Sequence, residues 1–363
     1  MAIDTFYYNA VDLLKQLIMI PSFSREETAL ADFLESYLTK ENLLLHRKGN
    51  NIWLLSPNWD EAKPTVLLNS HIDTVKPVSA WTKDPFTPLE EDGKLYGLGS
   101  NDAGASLVSL LYAFLTITQT EQPNNFIFLA SCEEEVSGKN GIESVLPELP
   151  SIDLAIVGEP TEMQPAVAER GLMVVDGMVY GKSGHAARDE GENAIYKAIP
   201  IIEWFKNLEF PLQSDLLGAV KTTLTMIESG TQHNVIPDIC KFTVDIRTNE
   251  FYTNKEIFEF ITKHCDCEVN ARSFRLNSSQ IVKDHALVKR ALLLGLKPFG
   301  SPTLSDQALM NFPSLKIGPG KSSRSHTADE YIRLSEIREA IDLYIRLLNQ
   351  LDIHFYTSKL SDS

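Results

Sequence analysis

Cysteine is scarce in this 363-residue chain: there are four. Cys265-Asp266-Cys267 has no second CxxC and no histidine pair at zinc-finger spacing, so neither a disulfide framework nor a finger-type metal site is expected. Long apolar runs are missing too, and no stretch reaches the roughly 18 residues that a membrane span requires. The start, Met1-Ala2-Ile3-Asp4-Thr5, has no basic segment, and Leu13, Leu14, Leu17 and Ile18 repeat at helical spacing instead of forming a signal core. A cytoplasmic location without membrane partners is therefore expected. Positive charge is also in deficit, with 33 Lys and Arg against 49 Asp and Glu and a formal net charge of −16. That balance argues against a nucleic-acid surface while leaving room for a local basic pocket. Ser183-Gly184-His185 lacks the strand-to-helix elbow of a serine hydrolase.

What is present is an alternation of helix and strand patterns. Amphipathic helices are predicted near 7–19 and 25–41, parted at Pro21-Ser22, with Ser24 as N-cap and Glu27 in the capping-box position. Strands follow near 51–55, 65–70, 125–131 and 153–157, with a helix over 103–119. This order implies an α/β layer around a buried, largely parallel sheet, with a site at its strand ends. The pattern changes near Gly171. Strand 172–181, helix 193–208, strands 221–229 and 239–248, helix 254–264 and strand 267–274 make a β-α-β-β-α-β, ferredoxin-like order. From about 285 the α/β alternation resumes and ends in a helix over 334–350. The expected organisation is one discontinuous domain, 1–172 plus 283–363, interrupted by a smaller one, 173–282.

The chemistry-bearing residues gather at predicted strand ends. His71 and Asp73 follow the apolar run 65–70 and share one strand face, so the carboxylate can orient the imidazole or bind beside it. Asp102 follows the small-residue turn Gly97-Leu98-Gly99-Ser100-Asn101 and suits either a helix N-cap or a ligand. Glu133-Glu134-Glu135 ends the strand 126–132, and three adjacent carboxylates repel one another unless a cation lies between them. Glu159 ends the strand 154–157, and His326 follows the Gly318-Pro319-Gly320 turn. Two histidines with three or four carboxylates suit a pair of divalent ions, zinc foremost, that hold a water and polarise a carbonyl. His46, His233, His264, His285 and His354 have no such carboxylate company and are read as structural.

Together these motifs resemble the M20-type zinc metallopeptidases and deacylases, the family of acetylornithine deacetylases, succinyl-diaminopimelate desuccinylases and carboxypeptidase-like aminoacylases, over essentially the whole length. The resemblance implies a zinc-exopeptidase-like three-layer catalytic domain with an inserted domain that dimerises and closes over the site. By that resemblance His71, Asp102 and Glu159 hold one zinc, and Asp102, Glu135 and His326 the other. Cobalt or manganese are possible substitutes. Asp73 orients His71, and Glu134 is the general base, with Glu133-Glu134 the alternative acid pair. His185 matches a position that reaches across a homodimer to the oxyanion, and Asn234 and Arg247 match substrate contacts. Arg324 and Lys321, beside His326, are further candidates for a substrate carboxylate, or form a solvated basic loop. The implied reaction removes an acetyl or succinyl group from an amino acid in arginine or lysine biosynthesis, or cleaves small peptides. Two departures stand against direct transfer of substrate. Around Asp102, Leu98 follows Gly97 and Ala103-Gly104 follows the aspartate where better-known members have arginine and a Met-Lys pair, and at Cys132-Glu133 a glutamate replaces the usual Asp just before the two glutamates.

Overall fold

The computed structural model describes residues 2–41 and 44–353, which fall into two compact units. The first comprises residues up to Val167, Ile281–Phe299 and residues from Ser305 on, and the second Ala168–Gln280 with Gly300–Leu304.

The strands of the main sheet lie in the order Leu44–Lys48, Asn51–Leu55, Asn125–Ser131, Thr65–His71, Leu154–Val157, Ser314–Lys316 and Ala166–Glu169, the last of which crosses the boundary of the first unit at Val167. The four from Asn125–Ser131 to Ser314–Lys316 are mutually parallel, while both flanks pair antiparallel. The sheet is thus mixed, with a parallel centre. Thr65–His71 and Asn125–Ser131 are buried at every residue, which explains their continuous apolar runs. On one face packs the helix Ala105–Ile117, buried everywhere except Thr116, together with Ala2–Ile18 and Leu334–Leu348. On the other, Leu67, Ile127, Leu129 and Ala155 join Ile142, Val145 and Leu149 in a second apolar cluster. Register places His71 beside Ser131 and Asn69 beside Val157, so the carboxyl ends of the parallel strands open at one rim. A small sheet of Leu89–Glu91, Lys94–Tyr96 and Tyr331–Arg333 sets Glu330 next to the Gly97–Asp102 turn.

The second unit runs β-α-β-β-α-β. Its antiparallel strands are ordered Lys221–Ser229, Ile239–Arg247, Met173–Tyr180 and Glu268–Ala271, and the helices Ala194–Lys206 and Asn254–His264 join the core. Alternate residues of Met173–Tyr180 are buried, as a half-covered sheet requires. Gly177 faces Phe242, whose ring would stand 2.1 Å from an added Cβ.

One local expectation is corrected. The helix Thr28–Leu38 is preceded by Glu27, not capped by Ser24, and no side chain caps it. Ser24 instead donates to Asp73 Oδ2 at 2.8 Å, and Glu27 accepts main-chain N–H groups of Arg25 and Glu133. Both polar groups are used to tie loops at the strand rim. Among the described residues no helix is long and apolar enough to cross a membrane.

Candidate metal centre

The strand ends deliver their polar residues to one place. His71 is 2% exposed; its Nδ1 faces the main-chain oxygen of Asp73 at 2.9 Å, so a proton donated there leaves Nε2 as an acceptor. That Nε2 lies 3.3 Å from Asp102 Oδ1 and 3.7 Å from Glu159 Oε1. Asp102 turns its other oxygen towards His326 Nε2, 3.7 Å away, and the same nitrogen meets Glu135 at 2.9 Å. The contacts therefore run Glu159, His71, Asp102, His326, Glu135. His71, Glu134 and Glu159 form one group with ligand atoms within 4.8 Å of one another, and His71, Asp102 and Glu135 a second.

Asp73 does more than flank His71, whose Nδ1 is 3.5 Å from its carboxylate. Its Oδ1 accepts the N–H of Glu134 at 3.0 Å, and Oδ2 accepts that of Glu135 at 3.1 Å. The buried carboxylate thus fixes the start of the acidic turn against the end of the neighbouring strand. Glu133, in left-handed conformation (φ 55°), points elsewhere and accepts from Asn140 Nδ2 at 2.9 Å. Glu134 and Glu135 are left as the pair that faces the cluster.

Electrostatics favour a cation here. Burial and the neighbouring Glu159 hold the Glu134 carboxyl well above the usual carboxylate range. Burial and Asp102 push Glu159 up to about 8. Glu135 accepts from His326 and raises that imidazole to about 9. Burial opposes charge on His71, but Asp102 and Asp73 outweigh it and its pKa is raised. Without cations the cluster retains protons that ligands must shed, and a divalent ion supplies the missing positive charge. Imidazole nitrogens and carboxylate oxygens are the donors that borderline and hard divalent ions take.

Three further buried carboxylates support the rim in roles the sequence did not show. Asp306 accepts from Asn69 Nδ2 at 2.8 Å and Ser131 Oγ at 2.7 Å, and burial raises it to about 6. Glu330 accepts three main-chain N–H groups of the Asp102 loop, and burial with the nearby Asp102 charge raises it to about 8. Glu27 is the third. Each acts on a strand or loop distant in sequence, and only the position of Glu330 four residues after His326 offered a local signal.

Arg324 is a correction. Its guanidinium is 8% exposed, pairs with both oxygens of Glu336 at 2.7 and 3.0 Å and lies over Tyr331, so it fastens the His326 loop to the helix Leu334–Leu348 instead of facing a substrate. Lys321 contacts Glu162 at 2.8 Å. In the second unit, Arg247 holds Asp245 through two hydrogen bonds, at 2.8 and 3.0 Å. His185 and Asn234 come together there: Gly184–His185 pairs with Val235–Ile236, and Ala186 N–H donates to the Asn234 carbonyl. The other histidines have structural partners or open surroundings. His46 stacks on Trp53, His264 on Phe260, His285 caps the helix Ala286–Leu293, and His233 is exposed. His354 lies outside the described residues.

Known proteins are similar to this chain over most of its length. Residues 67–350 match the family model described as peptidase family M20/M25/M40. An acetylornithine deacetylase of Pectobacterium carotovorum is 28% identical, covering 95% of this chain and 98% of its own. A succinyl-diaminopimelate desuccinylase of Corynebacterium glutamicum is 29% identical over 93% and 95%. The solved aminopeptidase PepT of Bacillus cereus superposes with a TM-score of 0.77 at 17% identity, covering 95% of this chain and 98% of that one. The chain therefore belongs to peptidase family M20/M25/M40 and is a hydrolase acting on amide bonds.

Proposed function

We propose that the protein is a metal-dependent deacylase that removes an N-acetyl or N-succinyl group from an amino acid, acetylornithine deacetylase-like, in cytoplasmic arginine or lysine biosynthesis. The observation that carries the reading is the placement of half-buried Glu134 among His71, Asp102, Glu135, Glu159 and His326, in a chain whose relatives along nearly its full length include such deacylases. His71, Asp102 and Glu159 would hold one zinc, and Asp102, Glu135 and His326 a second. Bound divalent ions supply polarisation of the scissile carbonyl and acidify a water.

The protein's own groups do the rest. Glu134, held above the usual carboxylate range, takes the proton of the attacking water and returns it to the departing amine. Asp73 keeps that carboxylate aimed by gripping its main-chain N–H. The partner subunit's His185 would donate to the developing oxyanion, with Asn234 and the exposed edge of Arg247 meeting the substrate amide and carboxylate. A homodimer through the second unit is supported by its exposed apolar residues. Tyr196 and Ile199 on the helix Ala194–Lys206 are 72% and 47% exposed, and Met226 and Ile227 on the edge strand Lys221–Ser229 are 64% and 54%.

A second reading, a di- or aminopeptidase of the same family, is favoured by the likeness to the Bacillus cereus aminopeptidase. It differs in requiring a free amino terminus on the substrate. Mass spectrometry of zinc-loaded protein incubated with acetyl and succinyl derivatives of ornithine, citrulline, lysine and diaminopimelate, with dipeptides alongside, separates the two. Release of free amino acid from an acyl derivative is expected, and cleavage of dipeptides alone would sink the deacylase reading.

A further inference from the structure

Asp102 and His326 lie on two loops that are far apart in sequence, yet each loop grips the other beside its own ligand. Glu330, four residues beyond His326, places its carboxylate under the Asp102 loop. Oε1 accepts the N–H groups of Asn101 and Asp102 at 2.8 and 2.9 Å, and Oε2 accepts that of Gly99 at 3.2 Å. In return Asn101, directly before Asp102, accepts the Lys321 N–H on Oδ1 at 3.0 Å. Its Nδ2 donates to the Lys321 carbonyl at 3.1 Å and to Ser325 Oγ at 3.3 Å. Both side chains are buried. A Cβ on Gly320 would stand 2.3 Å from Asn101 Oδ1, and its φ of 86° also requires glycine, so the loop is shaped to admit this contact.

The choice of a carboxylate is informative. Three converging N–H donors are matched by two carboxyl oxygens, whereas an amide would turn a donor towards one of them. Yet the charge sits beside Asp102, where like charges repel, so stability alone gives little reason for it. What it does achieve is to hold the Asp102 main chain so that one carboxylate oxygen meets His71 and the other meets His326.

We infer that Glu330 and Asn101 are positioning residues of the metal centre, a reciprocal clasp that sets the spacing of Asp102 and His326 and thereby the affinity for the second cation. The inference rests on the two-cation reading above. Groups that orient metal ligands typically change affinity or activity by about 10- to 100-fold when replaced.

The test titrates metal-free, full-length wild type, Glu330→Gln and Asn101→Ala with Mn2+, counting free ion by electron paramagnetic resonance, and records the melting temperature of each metal-free protein. Wild type should take up two ions. Both variants should bind the first with affinity within about threefold of wild type and the second at least about tenfold more weakly. Metal-free Glu330→Gln should melt no lower than wild type, since removing a carboxyl group that burial beside Asp102 disfavours offsets the lost hydrogen bond. Unchanged second-ion affinity in both variants, or equal weakening at both positions with a lowered melting temperature, would overturn the clasp while leaving the two-cation reading intact. A wild type that takes up no second ion would overturn both. If Glu330→Gln does not fold, Asn101→Ala decides by the same affinities.

Discussion

Asp73→Asn isolates the link between the strand end and the acidic turn. The carboxylate of Asp73 receives the N–H of Glu134 on one oxygen and the N–H of Glu135 and the hydroxyl of Ser24 on the other. An amide has nearly the same shape, but either orientation points its NH2 at one of the two main-chain donors. Ser24 can reverse its hydroxyl and accept, so the cheaper orientation sacrifices the Glu135 bond. One charge-assisted hydrogen bond in a buried setting is then lost, worth about 1.5–3 kcal/mol. Because the turn positions both the proton-transfer group and a ligand, that loss should appear as a kcat roughly 10- to 150-fold lower. His71 keeps its contact with the Asp73 main-chain carbonyl, which the substitution leaves in place. At saturating zinc the metal content should therefore stay near that of wild type. The assay is steady-state hydrolysis of an acyl amino acid, with elemental analysis of the same sample. A kcat within about twofold of wild type, or an activity loss that merely follows metal loss, would refute the reasoning.

Rising pH should destabilise the metal-free protein. Glu159 binds its proton with a pKa of about 8 against an ordinary 4.5, and His326 at about 9 against 6.5, so the folded form holds more protons. The Glu159 contribution is complete below ~4.5 and lost as pH passes about 8; that of His326 is complete below ~6.5 and lost through about 9. Melting temperatures of the metal-free chain across this window should fall while Mn2+ affinity rises, and a flat affinity would contradict the proton displacement. Mixing inactive His185→Ala with inactive Glu134→Ala protomers should restore part of the activity if His185 acts across a dimer; no recovery in verified heterodimers would remove that role. Arg324→Ala should lower stability by about 2 kcal/mol through loss of the Glu336 pair, with KM unchanged. A tenfold rise in KM at unchanged melting temperature would return Arg324 to the substrate.

The parallel centre of the sheet was legible because both faces are buried, so that 65–71 and 125–131 read as unbroken apolar runs ending in polar residues. His71, Asp102, Glu159 and His326 stood out for the same reason: ionisable groups at the ends of such strands or in small-residue turns have few structural uses. The last parallel strand, Ser314–Lys316, and the small-sheet strand Tyr331–Arg333 were less legible, since three residues are too few to display a period. The roles of Ser24, Glu27, Asp306 and Glu330 depend on partners brought close only by folding: side chains of Asp73, Asn69 and Ser131 for Ser24 and Asp306, and main-chain N–H groups of loops for Glu27 and Glu330. Glu133 and His326 adopt left-handed backbone that neither residue type announces. Arg324 looked available because its partner Glu336 lies on the next helix, a pairing that spacing alone does not separate from a solvated loop.

Metal content and turnover of Glu134→Ala beside wild type test the account most directly. Two divalent ions per chain are expected in both proteins, with acyl amino acid hydrolysis in the variant lower by about 10²- to 10⁴-fold, as loss of a general base predicts. A variant that hydrolyses at the wild-type rate, or a wild type that binds no divalent ion while remaining active, would contradict it.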